Sequence, residues 1–351
     1  MSFEPWFLKD LPKPAYGSHK VFSCFHCGGG STMGYKLAGY DVLGGVEIDP
    51  KMMQVYKANH HPKHSYLMGV QDFKKIADAD LPVELFHLDI LDGSPPCSSF
   101  STSGSREKAW GEKKNFREGQ AEQVLDELFF DFIDIAKKLQ PKIVVAENVR
   151  GLIEGNAKYY VKRIHQAFVE AGYDVQLFLL NSAFMGVPQR RERTFFLARR
   201  KDLNLPLLKL SFDMKPIPVK EAFVGITCKG RDRTKSIDYK YWKLTKPGDS
   251  LAKVHPKGHK FNSIKINPET PAPTIVGNAH VIFHWETMRN LSELEFKRLQ
   301  SFPDDYNFPN ERQAGYMCGM SVPPKMMEKV ALEIKTQWLD VIKKPIKLRK
   351  K

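Results

Sequence analysis

The first 200 residues alternate short apolar runs with helical stretches, and this alternation constrains the fold more than any other feature. Two of the runs, Val21–Phe25 and Val42–Ile48, enclose a helical stretch that ends at Gly39. An amphipathic helix is predicted over Val124–Leu139, before Pro141. The other predicted strands are Leu85–Leu91, Ile143–Ala146, Val175–Leu180 and Thr194–Ala198. Strands that alternate with helices predict a doubly wound α/β sheet that is mostly parallel.

The chain changes character after residue 200. Residues 201–285 are rich in Lys, Pro and Gly and show little helical periodicity, whereas residues 289–301 and 325–342 again have helical spacing. We therefore expect a main α/β domain at 18–200, a smaller irregular region at 201–285, a return to the main domain at 286–342, and a disordered basic tail at 343–351.

The charge balance favours a polyanionic partner. The 351 residues include 54 Lys and Arg against 40 Asp and Glu, a formal net charge of +14. Each phosphate that Lys or Arg neutralises releases a counterion, so a basic surface favours nucleic acid. The alternative is a protein that is basic for no functional reason, and charge alone does not decide between the two.

The cysteine pattern and the lengths of the apolar runs argue against several protein classes. The five cysteines have no disulfide-framework spacing, and Cys24 and Cys27 lack a second pair that would complete a zinc site. No apolar run reaches the roughly 18 residues of a membrane span. Residues 1–11 lack the apolar stretch of a signal peptide. We expect a cytoplasmic protein without a metal and without a membrane association.

A glycine cluster follows the first predicted strand. Glycines allow a backbone to approach a ligand closely, and the N-terminus of the following helix favours negative charge. Glu47 lies on the next strand, after the loop that contains Gly28, Gly29 and Gly30. An acidic side chain about 20 residues past a glycine loop suits a pair of ribose hydroxyls. The pattern favours a nucleotide-containing ligand over the alternative, a tight turn without one.

A polar loop presents one thiol at the end of a predicted strand. Cys97 follows Gly93-Ser94-Pro95-Pro96, and the two prolines restrict the backbone that holds it. Open α/β sheets bind ligands at the carboxyl ends of their strands, although a lone Cys is most often a small buried hydrophobe. Two more polar segments adjoin apolar strands, Glu147-Asn148-Val149 and Gln189-Arg190-Arg191-Glu192-Arg193, and each is either solvated or functional.

Together these segments resemble the motifs of DNA cytosine-C5 methyltransferases, in the usual order over nearly the whole chain. The family's F-x-G-x-G-G loop is similar to Phe25–Gly30, with Cys27 in place of the first glycine. The P-C, E-N-V and Q-x-R-x-R motifs match Pro96-Cys97, Glu147–Val149 and Gln189–Arg193. Two C-terminal segments also resemble family motifs: Arg289 to Pro303, like the helix that supports the target-recognition region, and Gly319-Met320-Ser321-Val322, like G-N-S-V.

The resemblance implies a Rossmann-like methyltransferase domain and a smaller target-recognition domain, at 201–285. The implied reaction moves a methyl group from S-adenosylmethionine to C5 of a cytosine flipped out of a short DNA sequence. Cys97 would add to C6, so that C5 gains the electron density to attack the methyl group. Glu147 would protonate or hydrogen-bond N3, Arg193 would bind O2, and Arg191 would help to hold the base or its backbone. The base that removes the C5 proton is not identified.

The resemblance also implies a pocket for S-adenosylmethionine. Phe25 and Ile48 would lie on the two faces of the adenine, and Glu47 would bind the ribose hydroxyls. The other predicted pocket residues are Asp72, at the exocyclic amine, with Gly28, Gly29, Gly30, Pro95, Leu128 and Ser321. Two departures from the family pattern, Cys27 and Met320, bear on cofactor affinity rather than on the type of reaction.

Two stretches are predicted to contact DNA. The polar loop from Ser98 to about Arg117 follows the nucleophile and would close over the DNA, although a surface loop without a role is the alternative. Its predicted contacts are Ser98, Ser101, Ser103 and Arg106. In the target-recognition region the predicted contacts are Lys229, Arg231 and Arg233, with phosphates or base edges.

Other functions fit the sequence less well. Most RNA cytosine-C5 enzymes use two cysteines, and the C-F-T signature of the tRNA-modifying branch is missing. Cys97, Glu147, Arg191 and Arg193 argue against a catalytically inactive DNA-binding homologue, and a nicotinamide dehydrogenase leaves the P-C and Q-x-R-x-R strings unexplained. We expect a monomeric bacterial or phage enzyme that acts on double-stranded DNA, with a cognate restriction endonuclease as a candidate partner.

Overall fold

A computed structural model describes residues 3–96, 113–114, 123–124, 127–154, 158–277 and 281–343. Some of the predicted residues lie outside these ranges. They are Cys97, Ser98, Ser101, Ser103 and Arg106, together with most of the loop that follows Cys97 and residues 344–351 of the predicted tail.

A seven-stranded sheet forms the centre of the molecule. Its strands are β1 (Lys20–Cys24), β2 (Asp41–Glu47), β3 (His64–Leu67), β4 (Ile90–Gly93), β7 (Ile143–Val149), β8 (Tyr173–Asn181) and β9 (Glu192–Arg200), in the order β3-β2-β1-β4-β7-β9-β8. The strands from β3 to β7 in this order are parallel, and β9 is antiparallel to both β7 and β8. Two small pairs complete the strands: β5 (Lys113–Lys114) with β6 (Gln123–Val124), and β10 (Ile264–Lys265) with β11 (Ile282–Phe283). The predicted mostly parallel α/β sheet is confirmed.

Helices cover both faces of the sheet, because successive side chains of each buried strand point to opposite sides. Val144 and Ala146 of β7 pack in one hydrophobic core, and Ile143 and Val145 pack in the other. The helices of the first half are α1 (Gly30–Leu37), α2 (Pro50–His60), α3 (Val70–Phe73), α4 (Leu128–Leu139) and α5 (Lys158–Glu170). Those of the second half are α6 (Val219–Ala222), α7 (Tyr239–Leu244), α8 (Glu293–Leu299), α9 (Glu311–Met320), α10 (Pro324–Ile334) and α11 (Asp340–Lys343).

A third core joins residues 201–285 to the rest of the chain. Val219, Ile266 and Ile275 pack there with Met33 of α1 and Phe296 of α8. Residues 201–285 therefore pack in the same core as α1, the helix that follows the glycine cluster. No helix within the described ranges is long and apolar enough to cross a lipid bilayer.

Three predicted elements begin four or more residues later in the structure than predicted. The strand predicted at Leu85–Leu91 is a 3-10 helix, Val83–His87, followed by β4, because β1 offers partners only from Ile90 onward. The helix predicted from Val124 begins at Leu128, since Val124 pairs with Lys113 in the β5–β6 hairpin.

The helix predicted at 289–301 is also shorter in the structure. Its described bounds are Glu293–Leu299, because Ser292 caps it: the Ser292 hydroxyl accepts a hydrogen bond from the Glu295 amide, and the Glu295 carboxylate accepts one from the Ser292 amide. Arg289 instead forms a β-bridge with Asp232. The helix predicted at 325–342 is present as α10, one π-helical stretch (Lys335–Leu339) and α11.

Candidate active site

The register of the parallel strands aligns the predicted site residues at one edge of the sheet. Cys24 is paired with Val46 and with Gly93, and Gly93 is paired with Ala146. The next residues along these four strands are Phe25, Glu47, Ser94 and Glu147. Neighbouring strands lie about 4.8 Å apart, so these residues form one row across the carboxyl edge of the sheet.

Glu147 and Arg193 form a buried ion pair at this edge. Arg193 of β9 is paired with Val149 of β7, two residues from Glu147, so both side chains lie on the same face of the sheet. The Arg193 Nε lies 2.9 Å from the Glu147 Oε1, and their side chains are only 11% and 10% exposed. The Arg193 Nη1 donates to the Glu192 carbonyl at 2.7 Å. The Arg193 Nη2 has no hydrogen bond to any described residue, which leaves it available to a substrate.

Two interactions support the loop that leads to Cys97. The Asn148 Nδ2 donates to the Pro95 carbonyl at 3.0 Å. Strand β7 therefore carries Glu147 and also holds this loop. Just before the loop, buried Asp92 accepts hydrogen bonds from the Ser23 hydroxyl at 2.6 Å and the Tyr35 hydroxyl at 3.2 Å. Burial raises the pKa of Asp92 to about 7. Asp92 was not among the predicted site residues, although an acidic residue next to an apolar run is a signal that the sequence shows.

The glycine cluster forms a tight loop whose conformation depends on Glu47. Phe25, Cys27 and Gly29 have positive φ angles of 55°, 51° and 87°. The Glu47 Oε2 accepts a hydrogen bond from the Cys27 amide at 2.9 Å, and its Oε1 accepts one from the Asp49 amide at 3.0 Å. Burial raises the pKa of Glu47 to about 7. A side chain at position 27 is therefore accommodated, and its backbone is held by the carboxylate predicted to bind a ribose.

The other predicted pocket residues have different environments. Phe25 and Ile48 are half-buried near this loop, and Pro95 and Ser321 are buried. The Ser321 hydroxyl lies 3.7 Å from the Cys27 Sγ, so the C-terminal motif contacts the glycine loop. Two residues differ from these in exposure, although Asp72 and Ile48 both lie within 4 Å of the position that a Cβ atom would take at Gly69. Asp72 is 70% exposed and pairs with Lys75, and Leu128 is fully buried in the core under α4, so a cofactor role for either stays a prediction.

Arg191 joins three parts of the chain. Its Nη1 donates to the Ile275 carbonyl at 2.9 Å, and its Nη2 donates to the Gly319 carbonyl at 2.8 Å. The buried Nε has no hydrogen-bond partner among the described residues. Arg191, which directly precedes β9, thus connects this part of the chain to residues 201–285 and to α9, and direct contact with a substrate stays a prediction.

Gln189 and Gln300 form a second connection beside Arg191. The Gln189 Oε1 accepts from the Ile275 amide at 2.9 Å, and its Nε2 donates to the Gln300 Oε1. The Gln300 Nε2 donates to the Ser321 carbonyl at 2.7 Å. Both glutamines lie within segments that resemble family motifs, but neither has a role that the sequence predicts. Their roles depend on contacts between distant segments.

The predicted DNA-contact residues of the recognition region lie on its surface. The side chains of Lys229 and Arg231 are exposed, and Arg233 is half-buried. Their backbone is held against residues 288–290, since the Arg233 amide donates to the Met288 carbonyl at 2.8 Å. These cations are therefore accessible to a polyanion.

A family model described as C-5 cytosine-specific DNA methylase matches residues 19–336. The chain belongs to this family. The match includes the glycine loop, the Glu147–Arg193 pair, residues 201–285 and the Ser321 segment. It confirms the resemblance seen in the motifs and the predicted class of enzyme, a DNA (cytosine-5)-methyltransferase.

The chain is similar to methyltransferases from bacteria and from a Bacillus phage. The type II methyltransferase M.NgoPII of Neisseria gonorrhoeae is 28% identical over 364 residues, and the alignment covers 93% of this chain and 98% of the relative. The orphan methyltransferase M.SPRI of Bacillus phage SPR is 37% identical over 165 residues, which cover 47% of this chain and 34% of the relative. Both relatives are named as methyltransferases, in agreement with the family that the motifs resemble.

Solved structures confirm the methylase fold. A putative DNA modification methyltransferase encoded within an Escherichia coli prophage has a TM-score of 0.69 at 21% identity, covering 91% of this chain and 99% of its own. The DNMT2 protein of Spodoptera frugiperda has a TM-score of 0.63 at 18% identity, covering 90% of this chain and 99% of its own.

Proposed function

We propose that this chain transfers a methyl group from S-adenosylmethionine to C5 of a flipped cytosine within a short DNA sequence, through a bond between Cys97 and C6. The observation that carries the proposal is the buried Glu147–Arg193 pair, in the same row as Glu47 at the carboxyl edge of the sheet. Glu47, a group suited to a nucleoside cofactor, lies on β2, and the pair suited to a cytosine lies three strands away in the same row, on β7 and its neighbour β9.

The glycine loop and Glu47 fit S-adenosylmethionine, which enzymes of this family generally use. The first turn of α1 has no side-chain cap, so its amides suit the carboxylate of the cofactor. The two oxygens of the buried Glu47 carboxylate have four lone pairs, and the backbone amides of Cys27, Asp49 and Ile48 interact with them. The carboxylate therefore retains acceptor capacity for a ribose hydroxyl. The cofactor, when bound, supplies an electrophilic methyl group.

The protein groups at the Glu147 end fit the polar edge of cytosine. The Arg193 Nε holds the Glu147 Oε1, so a proton on the Glu147 Oε2 can be donated to N3, and the Arg193 Nη2 can donate to O2. In the proposed reaction the Cys97 thiolate forms a bond to C6, and the C5–C6 electron pair moves to C5. C5 then forms a bond to the methyl carbon, whose bond to sulfur breaks and leaves its electron pair on the sulfur, so that S-adenosylhomocysteine is the product. A base then takes the C5 proton, the C5–C6 double bond forms again, and the thiolate leaves.

Residues 201–285 are proposed to recognise the DNA sequence. A base inside a duplex is out of reach of a thiol, and flipping it out costs a few kcal/mol, which contacts to the DNA must offset. Exposed Lys229 and Arg231 are placed to neutralise phosphates, and the net charge of +14 favours the same partner. The division of the chain at residues 200 and 285 belongs to this proposal.

Cofactor affinity is expected to depend on the protonation of Glu47. Its pKa of about 7 leaves most of the carboxyl groups protonated at pH 6, and a protonated carboxyl accepts fewer hydrogen bonds from a ribose. Isothermal titration of S-adenosylmethionine should give a Kd about tenfold lower at pH 8 than at pH 6. Deprotonation of Glu47 also affects folding. Because its pKa is about 7 in the folded protein and 4.5 in the unfolded chain, the free energy of unfolding falls as the pH rises from 4.5 through about 7.

Two variants separate Glu47 from other titrating groups. In Glu47→Gln the Kd should no longer show the pH dependence that Glu47 causes. Asp92→Asn should keep that pH dependence, although the pKa of Asp92, like that of Glu47, is about 7. The same pH slope in wild type and in Glu47→Gln would show that another group is responsible.

The proposed function is tested by the product that the purified protein makes. Unmethylated plasmid DNA and unmodified tRNA are each incubated with S-adenosylmethionine and digested to nucleosides for mass spectrometry. We expect 5-methyldeoxycytidine from the DNA and no 5-methylcytidine from the tRNA. Methylation of the tRNA alone would show that the substrate is RNA and not DNA. A methyl group on any atom other than C5 would contradict the proposed reaction.

A further inference from the structure

A buried hydrogen-bond relay lies behind the glycine loop. The His60 Nε2 is 2.9 Å from the Tyr306 hydroxyl oxygen, and the Tyr306 hydroxyl donates to the Gly28 carbonyl. His60 and Tyr306 are 6% and 1% exposed. The relay therefore joins the last turn of α2 to the loop after α8 and to the segment predicted to bind the cofactor, over 246 and 278 residues of sequence.

The hydrogen atoms of the relay have one consistent arrangement. Burial lowers the pKa of His60 well below its ordinary value, so the ring is neutral and carries one N–H. Because the Tyr306 hydroxyl donates to the Gly28 carbonyl, its oxygen accepts the hydrogen on the His60 Nε2. The His60 Nδ1 has no hydrogen-bond partner within the described ranges, which agrees with the N–H being on Nε2.

The same two rings fill the space under the next glycine. A Cβ atom at Gly29 would lie 2.1 Å from the His60 Nε2 and 2.9 Å from the Tyr306 hydroxyl oxygen. Gly29 also has a φ of 87° and caps α1. The rings thus contact two successive residues of the loop, by a hydrogen bond at Gly28 and by packing at Gly29.

We infer that His60 and Tyr306 are positioning residues for the cofactor, which hold the Gly28–Gly29 peptide so that the first amides of α1 keep their orientation. This inference rests on the proposed function, because it takes the bound group to be S-adenosylmethionine. Neither side chain is assigned a contact with the cofactor. Their effect is on affinity, since a loop that must be ordered on binding binds more weakly than one that is already ordered.

The test compares two buried tyrosines that each donate to a backbone carbonyl. Tyr306→Phe removes the donor to the Gly28 carbonyl, and Tyr173→Phe removes a donor to the Pro141 carbonyl, 2.8 Å away, at a site remote from the glycine loop. Both variants lose a buried hydrogen bond, so both are expected to unfold at a lower temperature. Two quantities are measured without DNA: the Kd for S-adenosylmethionine by calorimetry, and hydrogen–deuterium exchange of the peptide spanning 26–33 in the cofactor-free protein.

We expect the Kd to rise about tenfold in Tyr306→Phe and less than twofold in Tyr173→Phe. Exchange across 26–33 should be faster only in Tyr306→Phe. His60→Phe, which keeps a ring and removes the donor, should change both quantities in the same direction and replaces Tyr306→Phe if that variant does not fold. An unchanged Kd, or an increased Kd without faster exchange, would overturn the inference.

The Kd of the wild-type protein separates this inference from the proposed function. If the wild-type protein does not bind S-adenosylmethionine, the proposed cofactor is wrong, and so is the positioning role toward it. If the wild type binds the cofactor and Tyr306→Phe binds it equally well, only the positioning role is wrong.

Discussion

Replacing Arg193 by lysine is expected to lower kcat for DNA methylation by about a hundredfold or more, with little change in the Kd for S-adenosylmethionine. The arginine fork holds the Glu147 carboxylate through Nε and leaves Nη2 for the base, and a lysine ammonium, as a point charge, does not do both in the same geometry. Loss of one positioned donor to a developing negative charge typically costs about 10² to 10³ in kcat. Single-turnover methyl transfer to DNA measures the effect.

Lysine is preferred to alanine here because it keeps a positive charge beside Glu147. Removing the charge would leave a carboxylate that is only 10% exposed without its partner, and the protein would lose stability as well as activity. Arg200→Lys is the matched control: Arg200 lies at the other end of β9, pairs with Asp202 at 2.7 Å, and should retain kcat within twofold. A decrease in kcat of less than tenfold in Arg193→Lys would show that Arg193 does not stabilise the transition state.

Gly30→Ala is expected to weaken S-adenosylmethionine binding by about a hundredfold. A Cβ atom at Gly30 would lie 2.1 Å from the Val322 carbonyl oxygen and 2.9 Å from the Ser321 Cβ. The first of these is backbone, so the 321–322 turn has to move away from α1, and a displacement of about 1 Å at such a site costs on the order of a hundredfold. Calorimetry with the cofactor alone measures the Kd.

Gly39→Ala provides the comparison for this substitution. Gly39 lies just past the other end of α1 and has a φ of 82°, and a Cβ atom added there would meet no other part of the described chain within 4 Å. Its substitution strains the backbone without touching the pocket, so the melting temperature should fall while the Kd stays near the wild-type value. A wild-type Kd in Gly30→Ala would show that the contact between α1 and the 321–322 turn does not shape the cofactor site.

The sequence predicted the parts of the site that follow from local pattern. Apolar runs bounded by glycine or proline predicted the sheet, and the end of each run indicated where Glu47 and Glu147 would lie. The capping box at Ser292 and Glu295 was also readable from sequence, and it would have corrected the predicted start of α8. The apolar run at Leu85–Leu91 was ambiguous, because a short buried run suits several local structures.

The sequence did not predict the contacts that distant segments make. Nothing in the local pattern indicates that β9 runs antiparallel to β7, and only that pairing brings Arg193 to Glu147. The roles of His60, Tyr306 and Gln300 likewise depend on partners far along the chain. Such side chains have no motif of their own, and only the packed structure shows what each one contacts.

Base-resolution mapping of 5-methylcytosine tests the central claim most directly. Unmethylated plasmid DNA is incubated with S-adenosylmethionine and either the wild-type protein or Cys97→Ala, and each preparation is first shown to be folded and to bind DNA. We predict methylation of cytosine at one short sequence motif by the wild type and none by Cys97→Ala. Equal methylation by the two proteins would contradict the role of Cys97, and no methylation by a folded, DNA-binding wild type would contradict the proposed activity itself.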